Sequence, residues 1–204
     1  SSDLEMGHAI QHWESVPIEN LILHSPTADA CEIHSLGLEF LTLPFIDEFF
    51  TPENARRFRL GRWRKVVGAM CYRAQVDEFQ HWVYEHPTAT PAEREAAWAS
   101  IGKLYDSDLD YSGLEEHLGT QWYQLPHIFR SPFYYIDYAI AETAAMQLAV
   151  MAEQDHDRAM QTYLHLCRVG GTMGVLDIIS SAGLRSPFDP ELMKDLMAHA
   201  AEQI

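Results

Sequence analysis

Helix-start and helix-stop signals recur along this chain, and they constrain its fold more than any other feature. Thr51-Pro52 places a capping side chain before a proline, which is favoured at the first position of a helix, and Ser186-Pro187 and Asp189-Pro190 lead into a last helix. Thr90 and Glu93 have the spacing of a capping box, and Gly170-Gly171 is a helix-stop signal. No segment shows a convincing strand-like alternation of apolar and polar residues. The chain is therefore predicted to be all-α.

Apolar residues at helical spacing locate several of the predicted helices between these signals. One helix is expected after Ser25-Pro26-Thr27, and an apolar stripe runs from Trp63 to Tyr84. Ser131-Pro132 is expected to begin a helix that continues to about Met151. Tyr135 and Tyr138 would then share one helix face, since they are three positions apart.

Composition and charge exclude several classes of function. The chain has 204 residues, 47% of them hydrophobic, which suits a packed globular domain. Its formal net charge of −16 argues against binding to nucleic acid, and the one dense basic stretch, residues 56–65, has the spacing of a solvated helix face. No apolar run reaches the ~18 residues that a membrane span requires. Cys31, Cys71 and Cys167 are scattered, which suits free thiols in a reducing cytoplasm, and no signal peptide is expected.

An incomplete metal-binding motif stands near the start of the chain. Leu4-Glu5-Met6-Gly7-His8 lacks the first histidine of the H-E-x-x-H pattern, in which two histidines bind zinc and the glutamate is the general base. Glu5 and His8 are three positions apart and share a helix face. Glu32, 24 residues after His8, is a candidate third ligand, because such sites often take one ligand from a separate helix. The residues alone also allow a surface pair at Glu5 and His8 and a solvated Glu32.

Two further Glu-x-x-His pairs suggest a different kind of metal site. They are Glu78/His81 and Glu153/His156. Some helical bundles hold two irons with paired Glu-x-x-His motifs and glutamates from neighbouring helices. Such pairs also arise by chance in a chain with eleven histidines, and Glu153/His156 lies at a predicted helix boundary. A di-iron bundle is therefore an alternative that the sequence leaves open.

Short segments spread over nearly the whole chain carry a resemblance to a known family. They are residues 5–9 (Glu-Met-Gly-His-Ala), 30–41, 76–87, 127–138 and 166–171. Together these segments resemble the oligoendopeptidase F group of the M3 zinc metallopeptidases. In that family the third zinc ligand is a glutamate at the interval that separates His8 from Glu32.

The resemblance implies a zinc-dependent endopeptidase that hydrolyses short unfolded peptides. It implies one Zn²⁺ per chain, held by His8 and Glu32, with Glu5 as the general base. It also implies that His127, Tyr135 and Tyr138 bind the peptide and stabilise the tetrahedral oxyanion. Without the resemblance, the aromatic residues around the two tyrosines would be interpreted as a core stripe.

The resemblance also implies a fold, a multi-helix zincin-like catalytic half-domain. Residues 1–204 are expected to form a single helical domain that corresponds to the C-terminal part of an M3 catalytic domain. The family's enzymes are several hundred residues long, and their N-terminal helical half forms the other wall of a deep cleft. An apolar surface is expected where that half would pack, and such a surface favours self-association or packing with the missing half.

Leu4 departs from the family pattern, because a leucine cannot bind zinc. Zinc affinity is expected to fall steeply without the first histidine. In a second interpretation, residues 2–5 correspond to a stretch that precedes the family's motif by about one turn, so that Glu5 would not be the catalytic glutamate. The alternative function is then non-catalytic: a truncated or degenerate peptidase homologue that binds peptides or a partner chain.

Overall fold

The computed structural model describes residues 2–105 and 110–204, and α-helices fill most of these ranges. No β-strand lies within the described ranges, so the predicted all-α class is confirmed. None of the described helices is both long enough and apolar enough to cross a membrane. In chain order the helices are α1 (Ser2–Glu14), α2 (Ala28–Thr42), α3 (Pro52–Glu85), α4 (Pro91–Tyr105), α5 (Pro126–Arg130), α6 (Asp137–Gln154), α7 (His156–Val169), α8 (Val175–Ser181) and α9 (Pro190–Gln203).

The predicted start and stop signals coincide with the ends of several helices. Pro52 and Pro91 are the first residues of α3 and α4. Glu93 Oε2 accepts a hydrogen bond from the backbone N–H of Thr90 at 2.7 Å, and Thr90 Oγ1 accepts one from the N–H of Glu93 at 3.4 Å, which confirms the capping box. α7 ends before Gly170, whose φ of 52° lies in the region that favours glycine.

One predicted helix start is wrong. The helix expected from Ser131-Pro132 begins instead at Asp137, and the residues before it form turns. Phe133 in these turns has a φ of 63°, a value that residues with a side chain rarely adopt. The buried Gln80 accepts at Oε1 a hydrogen bond from the Phe133 backbone N–H at 2.8 Å. This bond stabilises the turn, and Ser-Pro is as compatible with a turn as with a helix start.

The chain divides into two compact units, each with its own packing. Unit 1 comprises Ser1–Val67 and Ile140–Ile204, and unit 2 comprises Gly68–Ala139. Both α3 and α6 contribute residues to the two units. The expectation of a single domain over residues 1–204 stays a prediction.

In unit 1, α1, α2 and α7 pack against one another. Ile33 and Leu166 are fully buried in this unit. Gly7 allows α1 to lie close to α2, because a Cβ atom at this position would be 2.4 Å from the backbone oxygen of His34. No side chain fits in that space, so the sequence at this position fixes how closely the two helices approach.

Aromatic side chains dominate the core of unit 2. Phe79 of α3 lies with its ring centroid 5.1 Å from that of Trp98 of α4 and 5.0 Å from that of Trp122. Val76 and Ile101 complete this buried cluster. The packing fixes α4 and the segment around Trp122 against the C-terminal half of α3.

A buried ion network joins α2, α3 and α6 inside unit 1. Arg62 Nε lies 3.0 Å from Glu39 Oε2, and Arg62 Nη2 donates a hydrogen bond to Glu142 Oε1 at 2.7 Å. The guanidinium also stands 4.2 Å above the centre of the Phe40 ring. The expectation of a solvated basic face over residues 56–65 is therefore wrong for Arg62, which is only 7% exposed.

Replacing Arg62 is expected to destabilise unit 1 strongly. Arg62→Met keeps much of the side-chain volume but leaves two carboxylates buried without their cation, so the free energy of unfolding should fall by about 3 kcal/mol. Chemical denaturation measures this change. Arg64→Met is the matched control, since Arg64 is an exposed neighbour on the same helix. Equal and small changes in the two variants would contradict the assigned role of the ion network.

Candidate active site

The packing of α1 on α2 brings two of the predicted metal ligands together. His8 Nε2 lies 3.5 Å from Glu32 Oε2. The Glu32 carboxylate is 7% exposed and the His8 imidazole 36%, so the pair opens toward solvent on the histidine side. The hydrogen bond to Glu32 is the main cause that raises the pKa of His8 above its usual value, and Glu5 adds to this effect.

The carboxylate of Glu32 is held by its own helix. Ser35 Oγ donates a hydrogen bond to Glu32 Oε2 at 2.7 Å, and the Cys31 thiol lies 3.7 Å from Glu32 Oε1. These contacts orient the carboxylate toward α1 without neutralising its charge. Sequence reasoning missed the contribution of Ser35, although its position one helical turn after Glu32 could have indicated it.

α7 fixes the contact between α1 and α2 from the other side. The buried Tyr163 hydroxyl donates a hydrogen bond to the backbone oxygen of His34 at 3.1 Å and lies 3.5 Å from that of Gly7. Those two backbone groups belong to the residues where the helices are closest. One phenol therefore connects both helices that carry the His8–Glu32 pair.

The donor set can be compared with what zinc requires. Imidazole nitrogen and carboxylate oxygen are both zinc ligands, and catalytic zinc normally has three protein ligands. Among the residues that the structure describes, no three His, Cys, Asp or Glu side chains are grouped so as to hold a metal ion. Leu4 belongs to α1, but its side chain lies outside the described part of the chain. His8 and Glu32 thus supply two donors of the kinds that zinc takes, where a catalytic site normally has three.

The other Glu-x-x-His pairs are engaged elsewhere. Glu153 lies in α6 and His156 begins α7, so this pair does not share a helix. His199 lies 3.0 Å from Glu153, and Tyr105 donates a hydrogen bond to Glu78 at 2.6 Å. These contacts give the di-iron alternative no support.

In unit 2, the predicted substrate-side residues form one aromatic group. The ring centroid of His127 lies 5.1 Å from that of Tyr135 and 6.2 Å from that of Tyr138. Burial raises the pKa of Tyr135 above its usual value, which keeps the phenol protonated as a donor. His127 Nδ1 is buried and has no hydrogen-bond partner among the described residues.

Tyr135 and Tyr138 come together by a different route from the one predicted. Tyr138 lies in the first turn of α6, whereas Tyr135 lies in the turns before it, so the prediction of a shared helix face is wrong. Their ring centroids are nevertheless 5.7 Å apart. The buried Arg73 on α3 donates a hydrogen bond to the backbone oxygen of Tyr138 at 3.0 Å, a contact that no sequence signal indicated.

Longer proteins of known type are similar to this chain. The sequence model of peptidase family M3 matches residues 4–198. Oligopeptidase PepF of Bacillus subtilis (strain 168) is 22% identical over 185 residues, which make up 88% of this chain and 27% of that protein. The chain therefore spans about a quarter of the length of this curated relative.

Solved structures are similar in fold over 98% of this chain. A structure described as an oligoendopeptidase F is 38% identical, with a TM-score of 0.93 and 36% of its own length covered. PZ peptidase A with an inhibitor is 36% identical, with a TM-score of 0.92 and 35% of its length covered. An oligoendopeptidase F from Bacillus anthracis str. Ames is 35% identical, with a TM-score of 0.83 and 33% of its length covered.

The fold defines the class first: an all-α half-domain of the peptidase type. The matched family then gives the identification. The chain belongs to peptidase family M3 and resembles its oligoendopeptidase F group. The predicted family and fold are confirmed.

Replacing Gly7 tests whether the approach of α1 to α2 determines the geometry of the pair. Gly7→Ala places a methyl group 2.4 Å from a backbone oxygen, so the helices must separate. The free energy of unfolding is expected to fall by about 2 kcal/mol. In Gly61→Ala the new methyl meets open space on α3, and the better helix propensity should stabilise the protein by about 0.5–1 kcal/mol. Thermal unfolding of both variants measures the contrast, and stabilisation by Gly7→Ala would contradict the close approach.

Proposed function

We propose that this chain is the C-terminal catalytic part of a zinc-dependent endopeptidase that hydrolyses short unfolded peptides, and that Leu4 impairs it. The observation that carries the proposal is the 3.5 Å distance between His8 Nε2 and Glu32 Oε2 within a fold shared with M3 peptidases. A histidine and a carboxylate from two separate helices are held there by dedicated contacts, which a chance surface pair does not need.

Each residue of the proposed site has a chemical role. His8 and Glu32 would hold the metal, and Glu5, one turn before His8, would accept a proton from the attacking water. His127, Tyr135 and Tyr138 would bind the peptide and donate hydrogen bonds to the carbonyl oxygen as negative charge develops on it. Zinc, when bound in such a site, polarises the scissile carbonyl and lowers the pKa of its bound water to about 7.

The electrostatics of the described residues are compatible with these roles. Burial keeps the Tyr135 phenol protonated, so that it can donate a hydrogen bond without carrying a charge. Glu5 is exposed on α1, where its carboxylate remains accessible to water and substrate. The Glu32 carboxylate is already largely desolvated, which strengthens its interaction with a cation.

Leu4 favours a second candidate function. A site with two protein ligands rarely retains zinc, and the described residues include no group of three metal donors. In this alternative the chain is a non-catalytic peptidase homologue, and the aromatic group around His127 binds a peptide or a partner without cleaving it. The two candidates differ in metal content and in turnover.

Exposed apolar side chains and free cysteines bear on the partner and on the cellular compartment of this chain. Trp13, Leu21 and Ile22 of unit 1 are 77%, 77% and 84% exposed, which suits packing against an N-terminal half of the kind that the longer family members have, or against a second copy. Cys31, Cys71 and Cys167 are free thiols, which suits a reducing cytoplasm.

Restoring the missing ligand is the direct test of the metal site. Leu4→His should raise zinc affinity by more than about 100-fold, because loss of even an outer-shell partner typically costs 10–100-fold. Zinc titration against a competing chelator measures the change. Leu21→His adds an exposed histidine elsewhere in unit 1 and should leave the affinity unchanged. An equal gain in zinc affinity in both variants, or no gain in Leu4→His, would contradict the hypothesis that Leu4 weakens the site by removing one zinc ligand.

Turnover tests the roles of the acid residues. In the Leu4→His background, a quenched peptide of about ten residues should be cleaved faster than by the unmodified chain, since general-base catalysis and a complete metal site act together. Adding Glu5→Gln should keep the zinc and abolish cleavage, whereas adding Glu32→Ala should remove both. Cleavage that survives Glu5→Gln would show that Glu5 is not the general base. That result would favour the second interpretation, in which residues 2–5 correspond to a stretch that precedes the family's motif.

A further inference from the structure

A cavity of about 400 Å³ lies at the C-terminal end of α3, within unit 2. None of the proposed metal ligands or catalytic residues is among the described residues that line it. Its volume falls within the range of small-molecule sites, roughly 300–1,000 Å³. The cavity is therefore separate from the peptidase chemistry and large enough to hold a ligand of its own.

Arg94 brings a positive charge to the wall of this cavity without a matching anion. Its side chain is half-buried in the first turn of α4. Nη2 donates a long hydrogen bond, 3.4 Å, to the backbone oxygen of Pro87, and the guanidinium forms no ion pair with any described residue. Its Nε is buried and has no acceptor among those residues. In a chain of net charge −16, this guanidinium is available to an anionic ligand.

Trp122 supplies a second donor that has no acceptor. This residue lines the same cavity and is only 5% exposed. Its indole Nε1 is buried and has no hydrogen-bond partner among the described residues. By contrast, Trp98 in the same aromatic core donates from its Nε1 to Gln121 Oε1 at 3.4 Å. The Trp122 N–H has thus lost its hydrogen bonds to water without regaining one from the protein, and a ligand with an acceptor atom would supply it.

The rest of the wall is apolar or already hydrogen-bonded. The rings of Trp122 and Phe129 stack with their centroids 5.7 Å apart and their planes at 26°. Val83 and Ile128 add aliphatic surface. Gln80 uses both ends of its carboxamide in hydrogen bonds to backbone groups. The wall therefore suits a flat apolar group and leaves no free amide to pair with a peptide backbone.

We propose that this cavity binds a small aromatic carboxylate, that is, a planar apolar ring that carries one anionic group. The carboxylate would accept hydrogen bonds from the Arg94 guanidinium and from Trp122 Nε1. The ring would stack on Trp122 beside Phe129. Phe129 is 58% exposed, so it can turn aside and admit the carboxylate to the buried Nε1. This binding goes beyond peptide hydrolysis and needs neither zinc nor His8.

The same wall disfavours other classes of small ligand. A cation or a metal ion would find no carboxylate among the described lining residues, and it would be repelled by Arg94. Inorganic phosphate would pair with Arg94, but the apolar wall would leave most of its oxygen atoms without a partner. A neutral aromatic molecule would fit the wall and leave the charge of Arg94 unpaired. An aromatic ring and an anionic group are therefore needed together.

Cinnamate and cinnamamide are suitable probes, since they share the planar ring and only the first is an anion. The whole chain, isotope-labelled and kept in EDTA, is titrated with each probe and followed by NMR. Cinnamate should bind saturably with a Kd on the order of 1 mM, and cinnamamide about 10-fold more weakly. The indole N–H signal of Trp122 should move downfield as the new hydrogen bond forms. Absence of saturable binding, or a Trp122 signal that stays in place at saturation, would overturn the proposal.

Matched variants assign the roles of the two donors. Arg94→Gln should weaken binding of cinnamate about 10-fold and binding of cinnamamide far less, because only the anion uses the charge. Arg158→Gln removes an exposed arginine on α7 and should change neither. Trp122→Phe keeps an aromatic ring but removes the N–H, so it should weaken both probes about 5-fold. Trp13→Phe removes an exposed indole of α1 and should change neither.

Three outcomes of these titrations would overturn the assignment. Equal effects of Arg94→Gln on the two probes would exclude the carboxylate contact. Unchanged binding in a folded Trp122→Phe variant would exclude the indole donor, and if that variant does not fold, the indole signal of the unmodified chain decides. Tighter binding of inorganic phosphate than of cinnamate would show an anion site without an aromatic component. All titrations are free of metal, so their result is separate from the outcome for peptide hydrolysis.

Discussion

The close approach of α1 to α2 at Gly7 is the constraint on which the candidate metal site depends. A backbone oxygen occupies the space where a side chain would stand, so the two helices can meet only where glycine lies. The Tyr163 hydroxyl hydrogen-bonds at the same place and ties α7 to both helices. His8 follows Gly7 directly, so the close backbone packing places its side chain within reach of Glu32.

Sequence reasoning succeeded where the physics is local. The capping box at Thr90, the prolines that begin α3 and α4, and the stop at Gly170 depend on neighbouring residues only, and each lies where predicted. The motif interval between His8 and Glu32 also proved informative, because the two helices that carry them pack together. Recognition of the family came from motifs of this kind.

The predictions failed where distant residues decide the local structure. Ser131-Pro132 is a good helix start in isolation, but a hydrogen bond from Phe133 to Gln80, 53 residues earlier, stabilises turns there instead. Arg62 belongs to an exposed basic stretch by pattern, yet Glu39 and Glu142 surround it from two other helices. No local pattern distinguishes Arg62 from Arg64, because the difference lies in what packs against them.

The candidate site thus combines a well-supported scaffold with an incomplete donor set. The contacts of Ser35 and Tyr163 maintain the geometry of the His8–Glu32 pair, although the residue expected to be the first ligand is Leu4. Zinc K-edge X-ray absorption on the zinc-loaded, unmodified chain tests this account most directly. The account predicts that the zinc ion is bound by one imidazole nitrogen and that its remaining ligands are oxygen atoms. Two or more imidazoles, or a sulfur ligand at about 2.3 Å, would contradict the account.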